Sequence, residues 1–219
     1  MRGYAPTGLA ADGRYDLGAL GADANALHEA LGGDEQAVLI GSDWGAEAAY
    51  VGAVAAPERW RRLVTLAIPP LSLDRRLFGD YDQLRRFFYL FFFRTPGSEL
   101  VVAADEMAFL DRLWADWSPG FDAGEDLRFA KEALREPAHL AAAIAYYRAN
   151  ERDVADGPPQ QPTLYLHGEL DGCIDPTIVA DAQAHLSPGS RMEVIEECGH
   201  FLHLERPQLV NRRILDWVR

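Results

Sequence analysis

Several features that mark special classes of protein are scarce in this sequence. It has two cysteines, Cys173 and Cys198, too few for a disulfide framework and not spaced like zinc ligands. We expect both to be reduced thiols in a cytoplasmic protein. The N-terminus lacks the charged and apolar regions of a signal peptide. The most apolar stretch, residues 87–93, is far too short to span a membrane.

Basic residues are also in short supply, and this excludes two kinds of partner. The 219 residues include 21 Lys and Arg against 34 Asp and Glu, which gives a formal net charge of −13. Such a charge argues against binding to nucleic acid and to an anionic membrane surface. The length suits one domain with a sizeable core, and the composition is that of an ordinary globular protein.

Apolar runs and helical patterns alternate along the chain, which predicts an α/β fold with a mostly parallel sheet and helices on both faces. We expect strands at 37–41, 63–67, 163–167 and 192–195, and helices at 16–31, 44–56, 178–186 and 207–219. Residues 71–150 are helical in pattern and rich in aromatics and arginine, and we interpret them as an inserted cap. The expected division is a first core part at 1–70, a cap at 71–155 and a second core part at 156–219, with a linker at 156–159.

The segment Gly41-Ser42-Asp43-Trp44-Gly45 lies between the predicted strand at 37–41 and the helix at 44–56. Strand, tight turn and helix with flanking glycines form the nucleophile-elbow pattern, here with Asp43 at its apex. Ser42 does not fit a Gly-x-Ser-x-Gly motif, because residues 40 and 44 are Ile and Trp. An aspartate nucleophile can attack a saturated carbon and form an ester with it.

A nucleophile of this kind requires an acid and a histidine from later strands, in that order. Asp171 follows the strand at 163–167, with Glu169 and Asp175 as alternative acids. His200 follows the last strand, with His167 and His203 as alternatives. His167 lies at the edge of its strand, which favours a structural role. Since no two histidines have the spacing of metal ligands, we predict that the chain binds no metal.

These motifs together resemble the α/β-hydrolase superfamily, and more narrowly its epoxide hydrolase and haloalkane dehalogenase branch. The resemblance is carried by Arg2-Gly3-Tyr4, Ser42 to Ala46, Pro57-Glu58-Arg59, Gly168 to Asp171, and Gly199-His200-Phe201. It implies that Asp43 forms an alkyl-enzyme ester. It further implies that His200, oriented by Asp171, activates the water that hydrolyses this ester, without a cofactor. The backbone N–H of Trp44 would be one oxyanion donor.

The resemblance also implies two tyrosines in the cap that protonate an epoxide oxygen. Tyr147 matches the second of these positions, whereas Phe92 stands at the first and cannot donate a proton. Either Tyr147 acts alone, or Tyr89 substitutes, or the substrate is a haloalkane and needs no donor. The residues expected to contact a small apolar organic substrate are Trp44, Tyr89, Phe92, Tyr146 and Phe201.

Members of this branch begin with several strands before the Arg-Gly-Tyr segment, and a His-Gly loop among them gives the second oxyanion donor. This sequence opens at that segment, so the resemblance implies an N-terminally truncated chain. We therefore expect the strand at 37–41 to have a bare edge, with a homodimer as one outcome. An inactive hydrolase-like chain is the alternative to an enzyme.

Overall fold

The computed structural model describes residues 1–150 and 157–219. The strands are β1 Val38–Ser42, β2 Arg62–Leu66, β3 Thr163–Gly168 and β4 Arg191–Ile195. The α-helices are α1 Leu17–Ala30, α2 Trp44–Ala55, α3 Asp74–Leu77, α4 Tyr81–Arg86, α5 Phe88–Phe92, α6 Ser98–Ala103, α7 Ala108–Trp117, α8 Gly124–Ala133, α9 Pro137–Ala149, α10 Leu202–Glu205 and α11 Pro207–Val218. Short 3₁₀ turns lie at Pro57–Arg59, Leu71–Leu73, Asp105–Met107 and Ala182–His185.

The four strands form one parallel sheet in the order β1-β2-β3-β4. Each strand therefore ends at the same edge of the sheet, and residues that follow the strands meet there. The strands β2 and β3 are buried almost throughout, as parallel strands covered on both faces require. This confirms the predicted α/β class and all four predicted strands, each to within about two residues.

Helices cover the sheet on both faces, and alternate strand residues take part in the two cores. Leu63 and Tyr165 belong to the core that includes α2 and the helices between β2 and β3. Leu164 packs in the opposite core, together with Val210 and Trp217 of α11. The indole N–H of Trp217 donates to the carbonyl of Leu63 at 3.1 Å, which ties α11 to the sheet.

The seven helices α3 to α9 lie between β2 and β3, within the segment that the sequence pattern predicts to be helical. Their core is rich in aromatic rings: Phe93 lies 4.7 Å from Tyr147 and 5.8 Å from Phe109, measured between ring centroids. The predicted domain boundary at 155/156 falls outside the described residues. None of the helices within 1–150 and 157–219 is long and apolar enough to cross a membrane.

One predicted helix is wrong. Residues 178–186 form a series of turns with a single 3₁₀ segment at 182–185. The bonds from Ile178 N to Asp175 O and from Ala182 N to Val179 O span three residues instead of four. The Asp175 carboxylate accepts from both the backbone N–H and the hydroxyl of Thr177, at 2.9 and 2.6 Å. Such local side-chain bonds compete with helix formation.

The strand β1 is at the edge of the described sheet and is less buried than β2 and β3. Ile40 at its centre is 50 % exposed, although its position in a parallel strand favours burial. The expected bare edge is therefore present in the part of the chain that the structure describes.

Candidate active site

Asp43 lies at the tight turn between β1 and α2, with a positive φ of 52° that non-glycine residues rarely adopt. A Cβ atom on Gly41 would lie 2.0 Å from the carbonyl oxygen of Gly45, so only glycine allows the strand and helix to approach this closely. A Cβ on Gly45 would meet no atom within 4 Å. The two glycines of the nucleophile-elbow pattern therefore differ, because a side chain is sterically excluded at Gly41 and not at Gly45.

The structure brings Asp43, Asp171 and His200 together from three separate parts of the chain. The Nε2 atom of His200 lies 3.2 Å from Oδ2 of Asp43, and its Nδ1 atom lies 3.0 Å from Oδ2 of Asp171. The side chains of His200 and Asp171 are 1 % and 0 % exposed, whereas that of Asp43 is 37 % exposed. Asp43 is thus the member of the group that solvent and small molecules can reach.

The charges of this group shift the pKa values of its members. Burial acts to lower the pKa of His200, but the carboxylates of Asp171 and Asp43 outweigh it and raise the pKa to about 10. Burial acts to raise the pKa of Asp171, and the interaction with His200 lowers it overall. With a carboxylate at each ring nitrogen, the resting imidazole is protonated and donates to both.

The alternative acids and histidines of the sequence analysis lie elsewhere. The Glu169 carboxylate accepts from the backbone N–H of Glu197 at 2.9 Å, and Asp175 pairs with Arg86 at 2.8 Å. His203 is exposed on α10. The geometry therefore favours Asp171 as the acid and His200 as the base.

His167 is the fourth of these alternatives. It is fully buried in β3, and its Nδ1 atom is 2.7 Å from the hydroxyl of Tyr165. Its Nε2 atom lies 3.9 Å from Oδ2 of Asp171. Its position agrees with the structural role that the sequence favours.

The loop that carries His200 is held by two polar side chains that the sequence analysis missed. The hydroxyl of Ser118 accepts from the backbone N–H of His200 at 2.9 Å and donates to Glu205 at 2.7 Å. The Glu205 carboxylate also accepts from the N–H groups of Gly199 and Phe201, at 2.7 and 3.0 Å. Ser118 lies in the Trp-Ser-Pro-Gly turn after α7, 82 positions before His200. No local sequence pattern predicts a contact over this separation.

A small cavity opens beside Asp43. The side chains that line it are Asp43, Trp44, Glu47, Ile68, Asp74, Leu77, Phe87, Tyr89, Leu90, Tyr147, Cys173 and Ile174. The rings of Tyr89 and Tyr147 lie 5.9 Å apart, and the Trp44 ring lies 5.1 Å from that of Tyr147. Burial raises the pKa of both tyrosines, and the negative charge of Asp43 adds to the effect, so both hydroxyls keep their protons.

Three of the expected substrate contacts are not part of this lining. Phe92 stacks on Phe109 at 5.2 Å between centroids, and Phe201 packs on Trp114 at 4.1 Å. The ring of Tyr146 packs against those of Tyr4 and Tyr15, at 5.6 Å between centroids in both pairs, and its hydroxyl donates to the carbonyl of Arg2 at 2.6 Å. Aromatic packing, which the sequence cannot distinguish from ligand contact, accounts for all three positions.

The backbone N–H of Trp44 is the first of α2, and a first helical N–H has no partner within its own helix. Trp44 directly follows Asp43 in the sequence, so this N–H is placed to stabilise a negative charge that develops at the Asp43 carboxyl group. This position agrees with the oxyanion role that the sequence implies.

One group of side chains in the described part of the chain has the spacing of metal ligands. It consists of Asp171, Cys173 and His200, whose ligand atoms lie within 4.8 Å of one another. Two of the three form the acid–histidine pair, and the Cys173 sulfur is 3.2 Å from the hydroxyl of Tyr89. The absence of a metal is still a prediction.

Comparison with known proteins agrees with the fold. The alpha/beta hydrolase fold family matches residues 1–207. Over 91 % of the present chain, the sequence is 29 % identical to epoxide hydrolase 1 of Caenorhabditis elegans. Over the whole of the present chain, it is 25 % identical to human epoxide hydrolase 4. It spans 52 % and 63 % of the length of these two relatives.

Solved structures agree as well. A variant of an epoxide hydrolase from Bacillus megaterium matches 99 % of this chain with a TM-score of 0.79, and the match covers 81 % of that protein. The sequence identity is 22 %, so this similarity concerns the fold. With the parallel sheet, the turn at Asp43 and a family match over residues 1–207, the chain belongs to the α/β-hydrolase fold family.

Proposed function

We propose that this chain is a hydrolase that uses Asp43 as its nucleophile and converts an epoxide to a diol through an alkyl-enzyme ester. The observation that carries the proposal is the contact of His200 with both carboxylates, at 3.2 Å to Asp43 and 3.0 Å to Asp171. A carboxylate at the apex of the turn suits attack on carbon. The relatives named epoxide hydrolases support the same class of substrate.

In the first step, one oxygen of Asp43 attacks an epoxide carbon, and the bond from that carbon to the epoxide oxygen breaks. The oxygen receives a proton from Tyr147, whose hydroxyl is kept protonated by burial. An alkoxide is a stronger base than a phenolate, so the transfer is favourable. Tyr89 lines the same cavity and is the second donor, in place of the tyrosine that Phe92 replaces.

In the second step, His200 takes a proton from water, and the resulting hydroxide adds to the ester carbon of Asp43. The acyl C–O bond breaks, the diol oxygen takes one of the two protons of the water, and the other stays on His200 and restores its protonated resting form. His200 must be neutral for this step. Esterification removes the charge of Asp43, one of the groups that raise the pKa of His200, so the imidazole loses its proton more easily, and the phenolate left on Tyr147 takes it up.

The small size of the cavity and the aromatic rings in its lining favour a small organic substrate. The helices between β2 and β3 supply Tyr89 and Tyr147 and act in this proposal as a cap over Asp43. A haloalkane is the second candidate, because the Trp44 indole lies in the same lining and could bind a departing halide. The presence of Tyr147 as a proton donor in this lining favours the epoxide, because a haloalkane needs no donor.

Trapping of the ester tests the proposal. We would incubate the His200→Gln variant with epoxides and haloalkanes and record the intact mass, because the ester should accumulate when its hydrolysis is blocked. A gain of one whole epoxide supports the proposal, and a gain of the alkyl group without halogen supports the dehalogenase. The matched control is His200→Gln combined with Asp43→Asn, which should form no adduct. An adduct in this control would show that the nucleophile is another residue.

A further inference from the structure

The loop that carries the acid, residues 171–175 and named here the acid loop, is held by side chains from two other elements, α4 and β3. Asp171 uses Oδ2 for His200, at 3.0 Å, and its Oδ1 atom accepts from the backbone N–H groups of Cys173 and Ile174, at 2.7 and 3.0 Å. The direction of the carboxylate therefore depends on the backbone of its own loop.

Gln83 of α4 contacts this backbone from the side of the helices between β2 and β3. Its Nε2 atom donates to the carbonyl of Cys173 at 2.8 Å, and its Oε1 atom accepts from the N–H of Asp175 at 2.9 Å. The side chain is fully buried. Because one backbone partner can only accept and the other can only donate, the orientation of the amide is fixed.

His167 of β3 contacts the acid loop from the side of the sheet. Its Nε2 atom lies 3.1 Å from the carbonyl of Ile174, which can only accept, so this nitrogen carries the proton. Its Nδ1 atom accepts from the hydroxyl of Tyr165 at 2.7 Å. Burial lowers the pKa of His167, in agreement with a neutral ring that has one donor and one acceptor.

Hydrogen bonds thus hold the backbone of the acid loop at three consecutive residues, Cys173, Ile174 and Asp175. The N–H groups of Cys173 and Ile174 bind the Asp171 carboxylate, the two carbonyls of the same residues bind Gln83 and His167, and the N–H of Asp175 binds Gln83. Loss of either outer contact would remove a hydrogen-bond partner from a buried backbone group, and the loop would shift to replace it.

We infer that Gln83 and His167 are positioning residues, which hold the acid loop so that Asp171 can orient His200. The inference rests on the proposed function and adds two residues that contact neither the substrate nor His200. It makes a kinetic claim. His200 acts as a base only in hydrolysis of the ester, whereas formation of the ester needs Asp43 and the tyrosines. A displaced acid loop should slow the second step and spare the first.

The kinetic test compares Gln83→Met and His167→Leu with the unchanged chain, using styrene oxide as the probe and time-resolved intact mass as the measurement. We expect hydrolysis of the alkyl-enzyme to fall by about 10- to 100-fold, since a displacement on the order of 1 Å costs about that much. Its formation should change by less than about twofold, so the adduct accumulates. The His167→Gln variant, whose amide can still donate to Ile174, should recover part of the rate.

The matched control is Gln161→Met. Gln161 is also a buried glutamine whose amide donates to a backbone carbonyl, that of Pro57 at 2.6 Å, outside the acid loop. Its substitution should leave the ratio of the two rates unchanged. Equal slowing of both steps in Gln83→Met, or the same ratio as in Gln161→Met, would overturn the inference. His167 contacts the acid loop from β3 and not from α4. The His167→Leu variant therefore tests the inference on its own if Gln83→Met does not fold.

A second measurement separates this inference from the proposed function. The proton on Nδ1 of His200 can be followed by NMR without any substrate, and its resonance is assigned by its loss in His200→Gln. We expect a shift or broadening in Gln83→Met and His167→Leu, but not in Gln161→Met. An unchanged resonance overturns the inference. A changed resonance together with no adduct from any substrate supports the positioning role and refutes the proposed chemistry.

Discussion

His200 and Asp43 are separated by 157 residues in the sequence, yet Nε2 of one lies 3.2 Å from Oδ2 of the other. The contact forms because β1 and β4 are parallel and end at the same edge of one sheet. It joins a buried imidazole to a partly exposed carboxylate, and the two steps of the proposed reaction depend on it in different ways.

The charge of Asp43 should control the protonation of His200. Asp43→Asn removes one of the two carboxylates that raise the pKa of His200 to about 10, so that pKa should fall. An NMR titration of the imidazole would measure it, with Glu169→Gln as an exposed control. His200 is protonated at pH values below its pKa and cannot act as a base there. Hydrolysis of the ester, in which Asp43 carries no charge, should therefore become faster as the pH rises towards the lowered pKa of His200. The same pKa in both proteins would contradict this account.

The two tyrosines of the cavity should matter for epoxides only. Tyr147→Phe should slow formation of the ester from an epoxide by about 100-fold, the lower range for a lost general acid, and Tyr89→Phe should slow it less. Rapid mixing with mass detection would measure these rates. Tyr15→Phe, which removes a hydroxyl that accepts from Ala10 at 3.2 Å, is the control. Equal rates in Tyr147→Phe and the unchanged chain would remove Tyr147 from the mechanism.

The glycines around Asp43 should respond differently to alanine. Gly41→Ala places a Cβ 2.0 Å from the Gly45 carbonyl and should lower the free energy of unfolding by about 3 kcal/mol or more. In Gly45→Ala the added Cβ meets no atom within 4 Å. This substitution should raise the free energy of unfolding by up to about 1 kcal/mol, because alanine has a higher helix propensity than glycine. Urea denaturation of both variants would check this. Equal destabilisation by the two substitutions would show that the turn is not limited by this contact.

Glu205 should stabilise the loop of His200. Its carboxylate accepts from Ser118, Gly199 and Phe201, so Glu205→Ala leaves two backbone N–H groups without this acceptor. We expect a loss of about 1–3 kcal/mol in the free energy of unfolding, measured in urea. The exposed Glu197→Ala is the control. A change in Glu205→Ala no larger than in this control would mean that water replaces the carboxylate.

Much of the site is accessible from sequence because its signals are local. The turn at Asp43 is marked by Gly41 and by a change from strand to helix pattern, and Asp171 and His200 each follow a strand of the parallel sheet. The contacts that hold these residues are not local. Gln83 lies 90 positions from Cys173, and Ser118 lies 82 positions from His200, so no periodicity or motif connects them. The same limit explains why Phe92 and Tyr146, which pack on other aromatic rings, were expected in the cavity.

In the proposed mechanism, the oxygen of water enters the product through the carboxylate of Asp43. A single turnover of the unchanged chain in water enriched in oxygen-18, with the enzyme in excess over the epoxide, tests it most directly. Hydroxide adds to the ester carbon in our account, so the heavy isotope should appear in the peptide that contains Asp43, and the first diol should be unlabelled. Label in the first diol, with none in that peptide, would contradict the account, because water would then have attacked the epoxide directly.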